Sequence, residues 1–342
     1  MKLVRGKTSR AARLGAALAA MTLVVAACGD GDDGDTTDPG DATEENGDEG
    51  EAPSFLTMGT GSTGGTYFPL GGAMAQIWTN EIEDLRVSTQ ASGASVENLQ
   101  LLVQGELDLA MAINGVASGA LAGDVDLGGE DADIMYLGAV YKEVNQIVAR
   151  ADAGITTVED LAGKTVAIGP PGSGTAVFAE ALLERAGIEL GEARQETFGE
   201  AADLLRDGTI DASFGVLALP AGSLEEVGLA VDLVLVSLEG DLLAQTLEED
   251  STLTEVAYDG QYESIDQSAT LVTNWASLYA RSDLHEDTAC ELTRVLYEHS
   301  EEIAAAHPVG SEIQLDTSQD GVADVPIHPG AQRFYDEGQC EM

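Results

Sequence analysis

Residues Gly59-Thr60-Gly61-Ser62-Thr63-Gly64 spell G-x-G-x-x-G, a glycine spacing that lets a backbone close on a pyrophosphate between a strand and a helix. A second glycine loop, Gly169-Pro170-Pro171-Gly172-Ser173-Gly174-Thr175, follows about a hundred residues later. Each loop stands between a short apolar run and an amphipathic stretch, so each is expected to join a strand to a helix. Free amides at a helix N-terminus carry partial positive charge and favour an anionic or carbonyl-bearing guest. Glycine permits close approach of the backbone, and Ser and Thr add hydroxyls.

The nucleotide readings fail on particular residues. A dinucleotide site needs an acid at the end of the second strand to hold the ribose. That strand, Arg86-Val87-Ser88-Thr89-Gln90, runs into Ala91 and Ser92 with no acid. A phosphate loop of the G-K-[ST] kind needs a lysine, and neither loop has one. The chain has no G-x-S-x-G elbow, no H-E-x-x-H and no C-x-x-C, and its four histidines lack close metal-ligand spacing. No enzyme activity, cofactor or metal is therefore expected. Asp316–Asp324 opens like a calcium loop, but Ile327 stands where a bidentate Glu is required.

The elements that must position these loops alternate along the chain, as in an α/β architecture. Phe55–Met58 reads as a strand and Tyr67–Glu83 as a helix with Pro69 in its first turn, where proline is tolerated. Leu85–Thr89 is a strand. Ser95 is expected to cap a helix to Gln104, stopped by Gly105, with a strand over Leu107–Ile113. Thr165–Ile168 is a strand, and Ala176–Ala186 the helix after the second loop. Leu101–Ile113 (LLVQGELDLAMAI) aligns without a gap to Leu204–Val216 (LLRDGTIDASFGV). Each copy holds a helix end, a glycine stop (Gly105, Gly208), an aspartate (Asp108, Asp211) and a strand. Two recurring features about a hundred residues apart imply two similar lobes.

The ends of the chain speak to location. Residues 1–13 carry five basic residues and no acid, and Leu14–Cys28 is an apolar run too short for a comfortable membrane span. Val25-Ala26-Ala27-Cys28 resembles a lipobox, implying a signal peptide over 1–27 and a lipid on Cys28. Residues 29–52 hold eleven acids and no base. Within 28–53 we expect a disordered tether that reaches roughly 25–30 Å. Beyond residue 52 the chain has 50 acids against 10 bases. That balance excludes a nucleic-acid binder and fits a solvating surface suited to high salt. Cys290 and Cys340 remain in an exported chain, where disulfides persist, and are expected to pair.

Taken in order, GTGSTGGTYFPLGGAMA, QASGASVENLQLLVQGELDLAM, DLAGKTVAIGPPGSGT, DGTIDASF and VPIHPGAQRFYDEG resemble the TAXI group of TRAP-transporter solute receptors. The resemblance runs from about residue 55 to 340. It implies a two-lobed periplasmic-binding-protein fold of type II, two α/β lobes joined by a two-crossing hinge. It also implies capture of a small organic anion, such as a dicarboxylate or acidic amino acid, by a monomer that delivers it to a TRAP membrane permease.

The ligand-binding residues it implies are Ser62, Thr63, Gly64, Thr66 and Tyr67 in the first loop, Ser92, Gly93 and Ser95 at a second turn, and Ser173, Gly174 and Thr175 opposite. Ser92 and Ala94 depart from the family's T-G-G-S turn. Asn98 either braces the first loop or meets the ligand. Where the family often has Gln and Asp, this chain has Ile113, Asn114 and Gly115, so Asn114 is a candidate contact. Phe214 and Pro220 are candidate cleft residues, and Arg86, Arg150, Arg194 and Arg206 could reach a carboxylate. Tyr141–Arg150 and Gln267–Arg281 read as the two crossings, giving lobe one as 54–146 plus 270–342 and lobe two as 147–269. A substrate-binding lipoprotein of an ABC importer and a ligand-sensing subunit of a membrane signalling system use the same fold and anchor, and both stay open.

Overall fold

The computed structural model describes residues 54–129 and 132–340. The expected signal peptide, Cys28 and the acidic tether lie outside the described residues. The first half of the described chain runs β1 (Phe55–Gly59), α1 (Tyr67–Glu81), β2 (Arg86–Gln90), α2 (Ser95–Val103), β3 (Leu109–Ile113), α3 (Asn114–Ala122) and the long β4 (Met135–Arg150). The second runs β5 (Thr165–Ala167), α4 (Gly174–Ala186), β6 (Glu192–Arg194), α5 (Phe198–Arg206), β7 (Ala212–Leu217), α6 (Gly222–Gly228), β8 (Leu233–Leu235), α7 (Gly240–Glu249) and β9 (Thr254–Tyr258). β10 (Ala269–Ala280) then returns to the first half, followed by α8 (Glu286–Glu298), α9 (Ser300–Ala306) and α10 (Pro329–Glu337).

The strands lie in the order β2-β1-β3-β10-β4-β7-β5-β6, with β8 paired to β4 and β9 to β10. At one end β2, β1 and β3 are parallel and β10 closes on β3 antiparallel. At the other end β6, β5 and β7 are parallel and β4 closes on β7 antiparallel. The two ends are copies of one design. Only β4 and β10 belong to both: β4 pairs β10 along its first part and β7 near its end, while β10 pairs β9 near its start and β3 near its end. This is the two-lobed fold of the periplasmic binding proteins.

The sequence repeat lies where the copies coincide. Gly105 and Gly208 both adopt positive φ, 74° and 71°, which an L side chain resists, and so end α2 and α5 and turn the chain into β3 and β7. Boundaries elsewhere follow side-chain hydrogen bonds. Ser173 caps α4 by accepting the Ala176 amide at 3.0 Å, so the helix begins at Gly174 rather than at Ala176. Thr197 and Glu200 form a reciprocal capping box on α5. Ser95 caps nothing: Ala94 holds the N-cap position, and the Ser95 hydroxyl accepts the Ile113 amide at 3.2 Å.

Buried anchors tie the terminal helices to the first lobe. Trp78 of α1 donates its indole N–H to the Leu292 carbonyl of α8 at 2.9 Å. Cys290 of α8 is bonded to Cys340, with Cα atoms 5.6 Å apart, which fixes the segment after α10. The stretch that opens like a calcium loop packs against β4 instead. Its Ser318 carbonyl accepts the Tyr136 hydroxyl at 2.8 Å and the Ala139 amide at 2.9 Å.

Candidate functional site

The two glycine loops meet across the cleft, each against the second helix of the opposite lobe. The Gly172 carbonyl accepts the amides of Val96 and Glu97 at 3.0 and 3.1 Å, so two of the first N–H groups of α2 are spent on the other lobe. A Cβ on Gly93 would stand 2.1 Å from the Pro171 carbonyl oxygen, and one on Gly64 would stand 2.4 Å from the Gly199 amide nitrogen. Thr66 adds a third crossing, its hydroxyl accepting the Ala218 amide at 3.2 Å. The lobes are closed on each other.

Between the loops remains a narrow cavity. Ser62, Thr66 and Tyr67 line it from the first lobe, with Gly61, Gly65, Ala94, Ser95 and Ile113. Ser173, Gly174, Thr175, Phe198, Val216 and Leu217 line it from the second. The first amides of α4 belong to Gly174 and Thr175 and have no carbonyl partner within their own helix. The Thr175 hydroxyl is committed to the Val216 amide at 3.0 Å. The Ser62 hydroxyl is buried and has no hydrogen-bond partner among the described residues.

The floor is Glu143 of β4, 3% exposed. Its Oε2 accepts the Tyr67 hydroxyl at 2.7 Å and its Oε1 the Tyr141 hydroxyl at 2.8 Å. The two rings stand edge to face, 6.2 Å apart. Burial raises the Glu143 carboxyl from its ordinary 4.5 to about 7, against the two phenol hydrogen bonds, which lower it. Burial, then the Glu143 charge, pushes both phenols upward in turn, so they stay protonated donors. Lys142, next in sequence, points to the opposite face and lies 5.3 Å over the Trp275 ring.

Other sequence candidates lie elsewhere. Thr63, Gly64 and Pro220 line a neighbouring cavity with Arg206 and His307. Ser92 braces the first loop, its hydroxyl donating to Asn98 Oδ1 at 2.6 Å. Asn98 is a brace too, donating to the Thr60 and Met111 carbonyls at 2.6 and 2.8 Å. Gly93 forms the close crossing at Pro171. Asn114 faces away from the cavity: its Oδ1 accepts the Tyr279 hydroxyl at 2.6 Å and its amide donates to the Gly321 carbonyl. Phe214 is core, 1% exposed.

The arginines are engaged too: Arg150 pairs with Asp152, Arg194 with Glu192 and Arg206 with Asp203, while Arg86 donates to the Leu85 carbonyl. Far from the cleft, His299 lies between Glu81 and Glu302, at 3.8 and 2.8 Å. Sequence reasoning missed Glu143, which lies in Tyr141–Arg150, read only as a crossing between the lobes.

A cavity between two copies of one half-sheet design, joined by two shared strands, marks the two-lobed fold of the periplasmic binding proteins. Residues 58–338 match the NMT1-like family, and the chain belongs to it. Solved structures share the fold. One is a protein from Bordetella bronchiseptica RB50, 17% identical, covering 82% of this chain and 88% of its own, with TM-score 0.51. Another is the ligand-binding component of an ABC-type import system from Staphylococcus aureus, with zinc bound, 12% identical, covering 84% and 99%, with TM-score 0.50. The aliphatic sulphonate binding protein SsuA from Escherichia coli is 17% identical over 84% of each chain, with TM-score 0.45.

Proposed function

We propose that the protein is an extracytoplasmic solute receptor that captures a small molecule between its lobes and hands it to a membrane transporter. One observation carries this reading: a glycine loop from each lobe opens a helix onto the same small buried cavity. The lobes, 54–146 plus 270–342 and 147–269, would move as two bodies about β4 and β10. Cys28 would carry the anchor and residues 28–53 the tether. The ligand contacts would be Ser62, Thr66, Tyr67, Ser95, Ser173, Gly174 and Thr175, and the protein would release its solute unchanged.

Two transporters could receive the solute. The Staphylococcus aureus protein of the same fold is named as part of an ABC-type importer, which supports an ATP-driven partner. The motif resemblance to TAXI receptors supports an ion-coupled permease. We take the importer as the better-supported partner. A thermal-shift panel of amines, amino acids and carboxylates on ligand-stripped protein tests the receptor reading, since a ligand that binds only the folded state raises Tm. No shift by any of them counts against it. Uptake in energised vesicles then separates the partners: dependence on ATP supports the importer, and dependence on an ion gradient alone supports the permease.

A further inference from the structure

Glu143 brings a charge problem into the cavity. Among the described residues that line the cavity it is the sole ionisable acid, and no Lys, Arg or His lines it. A buried carboxylate is retained at high cost unless it is paired. Tyr67 and Tyr141 each satisfy one lone pair, which leaves each oxygen able to accept again. The neighbouring Lys142 is on the far side of the strand, over Trp275, and cannot supply the counter-charge. Below about pH 7 the carboxyl can stay neutral by holding its own proton; once it is ionised, its counter-charge has to arrive with the solute.

An organic anion, the guest that helix N-termini alone would imply, sets a second negative charge against this carboxylate. The same cavity also holds groups of the opposite polarity. The α4 amides at Gly174 and Thr175 and the unpartnered, buried Ser62 hydroxyl offer donors. Ile113, Phe198, Val216 and Leu217 supply the apolar part of the wall.

We infer that Glu143 sets the specificity of the receptor: the solute carries a protonated amino group seated on Glu143 and an acceptor group facing Ser62 and the α4 amides, with no net negative charge. The class is a small zwitterion or monocation, and dicarboxylates are excluded from it. This inference rests on the receptor reading above.

Calorimetric titration of the full folded protein tests it with matched probes at one pH. L-Alanine, L-leucine, 4-aminobutyrate and ethanolamine form the amine set; lactate, succinate and glutarate form the set without an amine. At least one amine is expected to bind, with the second set silent. Glu143→Gln is expected to weaken that amine roughly 100-fold, as loss of one member of a buried charge pair does. Tyr141→Phe keeps the carboxylate and is expected to weaken the amine far less. Binding of succinate or glutarate without any amine would overturn the inference and leave the receptor reading standing. An amine that binds Glu143→Gln as tightly as the parent would also overturn it. Silence of every probe at millimolar concentration would overturn the inference and the receptor reading together.

Discussion

Asp108 and Asp211 hold equivalent places in the two lobes. The Asp108 carboxylate accepts the Thr57 amide at 2.7 Å, and the Asp211 carboxylate accepts the Thr165 amide at 2.9 Å. The backbone amide of each aspartate returns a bond to the carbonyl of the same threonine, at 3.0 and 2.8 Å. Each aspartate thus registers the third strand of its lobe against the first. Replacing either with Ala should cost roughly 1–3 kcal/mol, the range for a charge-assisted hydrogen bond. The two sites share no partner, so the double variant should lose the sum. Urea denaturation of both single variants and the double checks this, and a much smaller loss at one site would break the equivalence.

Closure depends on glycine at the crossings. A Cβ at Gly93 would run into the Pro171 carbonyl of the other lobe. The backbone on both sides would have to separate, whereas within the first lobe the Cβ meets the end of the flexible Glu97 side chain, at 2.8 Å, which can move aside. Gly93→Ala should therefore fold normally and close poorly. Affinity for the best ligand of the panel is expected to fall at least roughly tenfold, because the competent closed state is less populated. Small-angle scattering with that ligand present should show a more extended particle than the parent; identical particles would refute the crossing as a stop.

Stability should fall as pH rises through the range where Glu143 titrates. The groups facing its carboxyl are the Tyr67 phenol from α1 and the Tyr141 phenol from β4, both neutral there. Its folded value, about 7, lies above the ordinary 4.5, so the folded state holds the proton more tightly than the unfolded chain. That contribution is complete below pH 4.5 and is lost as pH rises through about 7, a change of roughly 3 kcal/mol. Glu143→Gln cannot titrate, so it should gain stability relative to the parent between pH 4.5 and 8. Denaturation curves of both proteins across this window measure the difference, which isolates Glu143 from the many surface acids.

Ala94 sits at φ 88° and ψ −133°, a conformation natural to glycine. Such strain costs of order 1–3 kcal/mol, and the added freedom of an unfolded glycine returns about 0.5–1 kcal/mol of that. Ala94→Gly should raise stability by about 1 kcal/mol and shift Tm upward. A lower Tm would mean that the Ala94 methyl, buried in the first-lobe core, contributes more by packing than the strain costs.

Much of the fold was written in local patterns. Gly105 and Gly208 recur because each helix ends in a conformation that only glycine adopts cheaply. The crossing segments read at Tyr141–Arg150 and Gln267–Arg281 fall on β4 and β10, which are buried along most of their length. The glycine loops were legible as helix starts for the same local reason. Their guest was not. Tyr67 and Glu143 are 76 residues apart, and no periodicity links them. Nor does spacing say that Asn114 turns to Tyr279, 165 residues away, or that the hydroxyl of Ser95 serves Ile113 rather than its own helix. Short-range order is set by backbone conformation, which each residue type biases directly. The charge of a cavity is a sum over side chains that meet only when the lobes pack, and here that sum places an unpaired carboxylate at the floor of a loop pair built of helix N-termini.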